Sequence, residues 1–147
     1  MSGWSITDAH GSDVGALAQI MGDWVRETKW MPVLHTHEDD EGFVVGLLRT
    51  HSLRVARGRT DRVGFLARQR GKVQALHVAQ AARGMGIGRA LLDEVKAVEP
   101  VVSLWTFQAN TRAIAFYLRE GFAEAERTDG QGNDERLPDI RLIWRRG

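Results

Sequence analysis

One run of glycines limits the folds open to this chain: Arg83-Gly84-Met85-Gly86-Ile87-Gly88. Ahead of it, Val73-Gln74-Ala75-Leu76-His77-Val78 is short, apolar-rich and ends on a β-branched residue, the pattern of a strand. Behind it, Ile87, Leu91, Leu92 and Val95 recur at helical spacing with charged residues between them. A glycine turn joining a strand to a helix leaves the first helical N–H groups unpaired at the positive end of the helix dipole. That corner is an anion site, and phosphate is the expected anion. Glycine also serves tight turns and close helix–strand packing, so the loop alone does not name a ligand. The dinucleotide fingerprint needs a third glycine where Arg89 stands, and the Gly-Lys-Ser/Thr of a P-loop is absent.

The spacing Arg83-x-x-Gly86-x-Gly88 resembles the acyl-coenzyme A pyrophosphate signature of the GNAT superfamily of N-acetyltransferases. Downstream, Trp105-Thr106-Phe107-Gln108-Ala109-Asn110 leads into Thr111-Arg112-Ala113-Ile114-Ala115-Phe116-Tyr117 and then Glu120-Gly121-Phe122. This is similar to the second signature of that superfamily: a strand, an asparagine opening a helix, a tyrosine one face along, and a Gly-Phe exit. The two signatures stand in the family's order and separation, and the resemblance covers most of the chain.

Composition is consistent with that reading. A chain of 147 residues with 43% hydrophobic and 27% charged content fits one soluble domain with a real core, residues 1–147. A formal charge of +1 argues against a polyanion, and so against nucleic acid, as the main partner. The absence of cysteine excludes disulfides, zinc–thiolate sites and a cysteine nucleophile, and it fits a reducing cytoplasm. No apolar run is long enough to span a bilayer, and Met1-Ser2-Gly3-Trp4-Ser5 has no secretory pattern.

Along the chain, Trp4 to Thr7 is the first expected strand. Asp13 is the expected cap of a helix carrying Val14, Leu17, Ala18, Met21, Trp24 and Val25. Proline breaks the pattern in Trp30-Met31-Pro32-Val33-Leu34-His35. Thr36 with Asp39 then starts a second helix whose buried face is expected to hold Phe43, Val44, Leu47 and Leu48. Three strands follow, at 52–56, 62–68 and 72–78, then a helix at 86–98 and a strand at 101–106. Asn110 opens the fourth helix, Gly121 closes it, and strands at 122–127 and 140–145 finish the chain. The loop Thr128 to Glu135 has the composition of a mobile segment. The expected class is α/β (α+β). The resemblance implies the GNAT fold, with a mixed, mostly antiparallel sheet of about seven strands flanked by about four helices.

The resemblance implies acetyl transfer from acetyl-CoA to an amine. The pyrophosphate would sit on the N–H groups of Arg83, Gly84, Met85, Gly86, Ile87, Gly88 and Arg89. The pantetheine arm would lie beside Leu76, His77 and Val78, whose backbone N–H groups would polarise the thioester carbonyl. Asn110 would hydrogen-bond the cofactor arm, and Tyr117 would be the general acid. A phenol of pKa near ~10 is a plausible proton donor to a departing thiolate near ~8.5.

The base is less defined. Lys72 and Gln74 fall on the strand side shared with Leu76 and Val78, while His77 alternates to the opposite face as a structural residue. Gln74 could hold a water that carries the proton, and His35, in the loop between the first two helices, is the catalytic candidate there. His35-x-His37 followed by Glu38 to Glu41 reads as a solvated helix start, with no metal site expected. The acidic residues Glu38 to Glu41 and Asp134-Glu135 could attract a cationic amine. A small-molecule amine, a peptide N-terminus and a lysine all remain open as acceptors, as do a monomer and a homodimer. A non-catalytic acyl-CoA sensor is the alternative that would not need Tyr117.

Overall fold

The computed structural model describes residues 3–147. Its elements are β1 (Ser5–Asp8), α1 (Val14–Glu27), α2 (His37–Thr50), β2 (Ser52–Arg57), β3 (Arg62–Gln69) and β4 (Lys72–Val78). Then come α3 (Ile87–Val98), β5 (Val101–Phe107), α4 (Thr111–Arg119), β6 (Ala123–Thr128) and β7 (Asp139–Arg145). The strands form one seven-stranded sheet in the order β1-β2-β3-β4-β5-β7-β6. Every pairing is antiparallel except β4 with β5.

Strand alternation sorts the core into two halves, one on each face of the sheet. Leu53, Val55, Phe65 and Ala67 pack with Leu17, Ala18 and Ile20 of α1 and with Val44 and Leu47 of α2. Leu66, Val73, Val102 and Leu104 pack with Ile87, Leu91, Leu92 and Val95 of α3 and with Tyr117 of α4. Thr36 and Asp39 form the expected capping box: Asp39 N–H donates to Thr36 Oγ1 (3.1 Å) and Thr36 N–H to Asp39 Oδ2 (2.9 Å).

Four expectations change. Asp13 does not cap α1 with its side chain. It is only 1% exposed, and its carboxylate accepts from Arg57 Nη1 (2.7 Å) and Nη2 (2.8 Å), Arg62 Nε (2.8 Å) and His10 N–H (2.8 Å). A charge so far from water persists only when paired in this way. Phe43 leaves the buried stripe of α2, staying 42% exposed.

Gln74 is an extra residue in β4, because Ala67 pairs Ala75 while Arg68 pairs Val73. This bulge puts Val73, rather than Lys72 and Gln74, on the face shared with Leu76 and Val78. The loop 128–135 is closely bonded: Asn133 Nδ2 donates to Leu137 O (2.8 Å), and Gly130 N–H donates to Thr128 Oγ1 (3.1 Å). At the far end of the sheet, β6 is the charged, bulged edge strand.

Candidate active site

The parallel neighbours β4 and β5 pair only at Lys72–Ser103 and Val73–Leu104. Beyond that point β4 continues along β3 and β5 continues along β7, so the two strands part. Two sheet edges thereby face an open wedge, from Gln74 to Val78 and from Trp105 to Phe107. Unpaired strand edges offer N–H and C=O groups to an extended ligand. The Gln74 bulge lies where the parting begins and adds local bend and twist to β4.

The wedge opens into a cleft of about 1290 Å³. Its floor includes Leu76, His77 and Val78, and one wall is the glycine corner. Gly84 and Gly86 both have positive φ (81° and 82°), and a Cβ at either would meet nothing within 4 Å. The loop's glycines are therefore set by backbone conformation and leave open space at the start of α3. Gly88 differs, since a Cβ there would come within 3.3 Å of the Phe116 ring. Five arginines, Arg26, Arg83, Arg89, Arg112 and Arg119, line the cleft, which suits a phosphate-bearing ligand. Arg83 is already paired with Glu27 at the end of α1.

Tyr117 lines the cleft with its ring packed edge-on against Phe116 (5.2 Å) and Phe122 (5.5 Å). Burial raises its hydroxyl pKa well above the ordinary tyrosine range, so the group holds its proton. Asn110 caps α4, its Oδ1 accepting from Ala113 N–H (3.2 Å), and the residue still lines the cleft. His77 sits against Phe65 (5.4 Å) and Trp24 (5.8 Å). Burial, with the Arg83 charge second, depresses its pKa to about 4, so its imidazole is neutral at pH 7.

The opposite wall is the segment between α1 and α2. Trp30 packs edge-on against Trp24 (5.9 Å) and Phe107 (5.8 Å), tying this segment across the wedge to the tip of β5. His35 is exposed on this wall and lines the cleft. The structure thus gathers Tyr117, His35, Asn110, the β4 edge and most of the glycine corner around one space. Met85 is set apart: it is 51% exposed and does not line the cleft.

Sequence reasoning did not find Arg112 and Arg119, whose i, i+7 spacing on α4 could have marked them as one face. It also missed the Glu27–Arg83 pair, which joins residues 56 apart and leaves no local signal.

The sequence profile of the acetyltransferase (GNAT) family matches residues 12–122. The peptidyl-lysine N-acetyltransferase YjaB of Escherichia coli strain K12 is 29% identical over 86 residues, covering 58% of each chain. YjaB of Salmonella typhimurium is 28% identical over 82 residues, covering 56% of this chain and 57% of the relative. The matched region therefore spans a little over half the length of these curated relatives. The solution structure of apo YjaB from E. coli superimposes with a TM-score of 0.79 at 24% identity, covering 96% of this chain and 97% of that one. YncA of S. typhimurium, solved with acetyl-CoA, gives 0.72 at 19% identity, covering 97% and 94%. A parted parallel strand pair, a glycine corner opening α3 and a profile match across three-quarters of its length make this chain a member of the GNAT acetyltransferase family.

Proposed function

We propose that the protein transfers the acetyl group of acetyl-CoA directly to a primary amine. The observation that carries this reading is the wedge between β4 and β5, which opens into a cleft lined by both the glycine corner and Tyr117. The open space at Gly84 and Gly86 and the arginines that line the cleft fit a pyrophosphate. The unpaired edge of β4 fits an amide-bearing pantetheine arm, and Asn110 would donate to it through Nδ2 while Oδ1 caps α4. The named relatives act on peptidyl lysine, and a lysine ε-amine is the acceptor form proposed here.

In the reaction, the neutral amine attacks the thioester carbonyl carbon. Backbone N–H groups around Val78 stabilise the oxygen as it gains negative charge. The carbon–sulfur bond then breaks, the sulfur gains a proton from Tyr117, and the proton the nitrogen loses restores Tyr117 through water. Burial keeps the Tyr117 hydroxyl protonated in the free protein, the form from which a proton donor starts. A water held by Gln74, on the cleft wall, or His35 is proposed to take the ammonium's proton before attack. No cysteine is available to carry the acetyl group as a thioester, and transfer is proposed to run directly within one ternary complex. The same lack of cysteine fits a cytoplasmic setting.

The test is thiol release from acetyl-CoA in the presence of lysine peptides, with the acetylated product identified by mass spectrometry. Equimolar thiol and acetylated peptide support the reading. Acetyl-CoA that binds but is not consumed across a broad amine panel overturns it.

A further inference from the structure

Asp40 of α2 and Glu135 of the β6–β7 loop bring two half-buried carboxylates to the cleft wall. Among the described residues neither carboxylate has an ion-pair or hydrogen-bond partner. The other two acids of the wall are engaged: Glu27 holds Arg83, and Asp139 accepts from Thr128 and Asn133. Of the other cations on the wall, Arg26 pairs with Asp23 and Lys29 adjoins Trp30 in sequence.

The cleft also carries exposed apolar side chains: Val33 (66% exposed), Leu34 (48%), Trp105 (48%) and Phe43 all line it. The segment bearing Val33 and Leu34 is anchored, with Met31 buried and Trp30 held between Trp24 and Phe107. An apolar lip on an anchored segment is a surface built to be covered.

Building on the acetyl-transfer reading, we infer that the acceptor is a lysine within an apolar stretch of peptide. Its ammonium is captured by Asp40 and Glu135, and its methylene stem lies along the aromatic faces of Trp30, Phe43, Trp105 and Phe107. Its apolar neighbours cover Val33 and Leu34. A small free amine would fill the pocket but leave that outer lip in water. A lysine among acidic residues would meet Asp40 and Glu135 with like charge.

The experiment compares N-terminally blocked peptides at saturating acetyl-CoA, each with one lysine flanked by leucine and valine, by serine and glycine, or by aspartate. Phenethylamine serves as the small-amine probe. The apolar-flanked peptide is expected to exceed the serine–glycine peptide in kcat/KM by roughly tenfold, the effect of burying a modest apolar contact. The Val33→Ser/Leu34→Ser double variant is expected to lose that preference, and Asp40→Asn/Glu135→Gln to raise KM for peptide while the Kd of acetyl-CoA holds. Val98→Ser, an exposed apolar site off the cleft wall, controls for a general surface effect. Equal kcat/KM for all flanks overturns the inference and leaves acetyl transfer standing, as does phenethylamine outperforming every peptide. Failure of acetyl-CoA to bind, with no product from any amine, overturns both.

Discussion

Replacing Gly86 by aspartate and, separately, by asparagine isolates the anion site from the backbone that builds it. Gly86 has φ 82°, and a Cβ there meets no atom within 4 Å, so neither substitution causes a clash. The shared cost is the left-handed conformation, about 1–2 kcal/mol for an L-residue and at the low end for Asn and Asp. That corresponds to roughly 2–4 °C in Tm per kcal/mol for a chain of this size, equal in both variants. The difference between them is one negative charge. Against a pyrophosphate carrying two charges about 6 Å away, an effective dielectric of about 40 gives ~1.4 kcal/mol per charge, or roughly a hundredfold in Kd. The assay is calorimetric titration with acetyl-CoA at low and high salt. The Asn variant is expected to bind within about tenfold of the parent, and the Asp variant about a hundredfold more weakly than Asn. The gap should shrink in 1 M salt, where the Debye length falls to about 3 Å. Equal affinity of the Asp and Asn variants would refute the placing of phosphate at this corner.

Tyr117→Phe removes the proposed proton donor and little packing, so kcat should fall by about a hundredfold while the Kd of acetyl-CoA holds; an unchanged kcat would remove the acid role. His77 binds a proton more weakly folded (about 4) than unfolded (~6.5), so the unfolded chain holds more protons between these values. Its contribution is therefore complete above about pH 6.5 and is lost as pH falls toward 4, and His77→Phe should flatten urea-measured stability across that window. Asp13→Asn removes the anion between Arg57 and Arg62 and should destabilise by about 1–3 kcal/mol, discounted because both arginines reach water. Cofactor affinity should be unchanged in that variant, a result checked by thermal melting alongside titration. Trp30→Ala should raise KM for the amine more than KM for acetyl-CoA, since the ring ties the acceptor wall to Phe107.

The sequence carried what short-range chemistry determines. The bounds of β4, the Thr36–Asp39 box, the Asn110 cap and the positive φ of Gly121 (93°) were all readable, because each depends on neighbours a few residues apart. Asp13 was misread for the complementary reason. An aspartate before an apolar stripe has the local pattern of a cap, but arginines 44 and 49 residues later bind it more strongly. Period-2 reasoning could not register the Gln74 bulge, since one added residue reverses every face before it. Phe43 fits the helical stripe, yet its part of α2 borders the cleft and not the core. Trp30 has no periodicity to betray it, and its role exists only once Trp24 and Phe107 converge. The glycine corner and Tyr117 could be found from motif spacing, and the acids Glu38 to Glu41 and Asp134-Glu135 from composition. The meeting of Asp40 and Glu135 with Trp30, Trp105 and Phe107 on one cleft required the fold.

The central claim is that acetyl-CoA lies in the β4–β5 wedge with its thioester at Tyr117. An experimental structure of the protein with acetyl-CoA bound tests it most directly. The account predicts pyrophosphate oxygens on the N–H groups from Gly84 to Arg89, and the arm along Leu76 to Val78. The thioester sulfur should then lie about 3–4 Å from the Tyr117 hydroxyl, near enough for proton transfer. Acetyl-CoA found outside the wedge, or inside it with the sulfur far from Tyr117, would contradict the account.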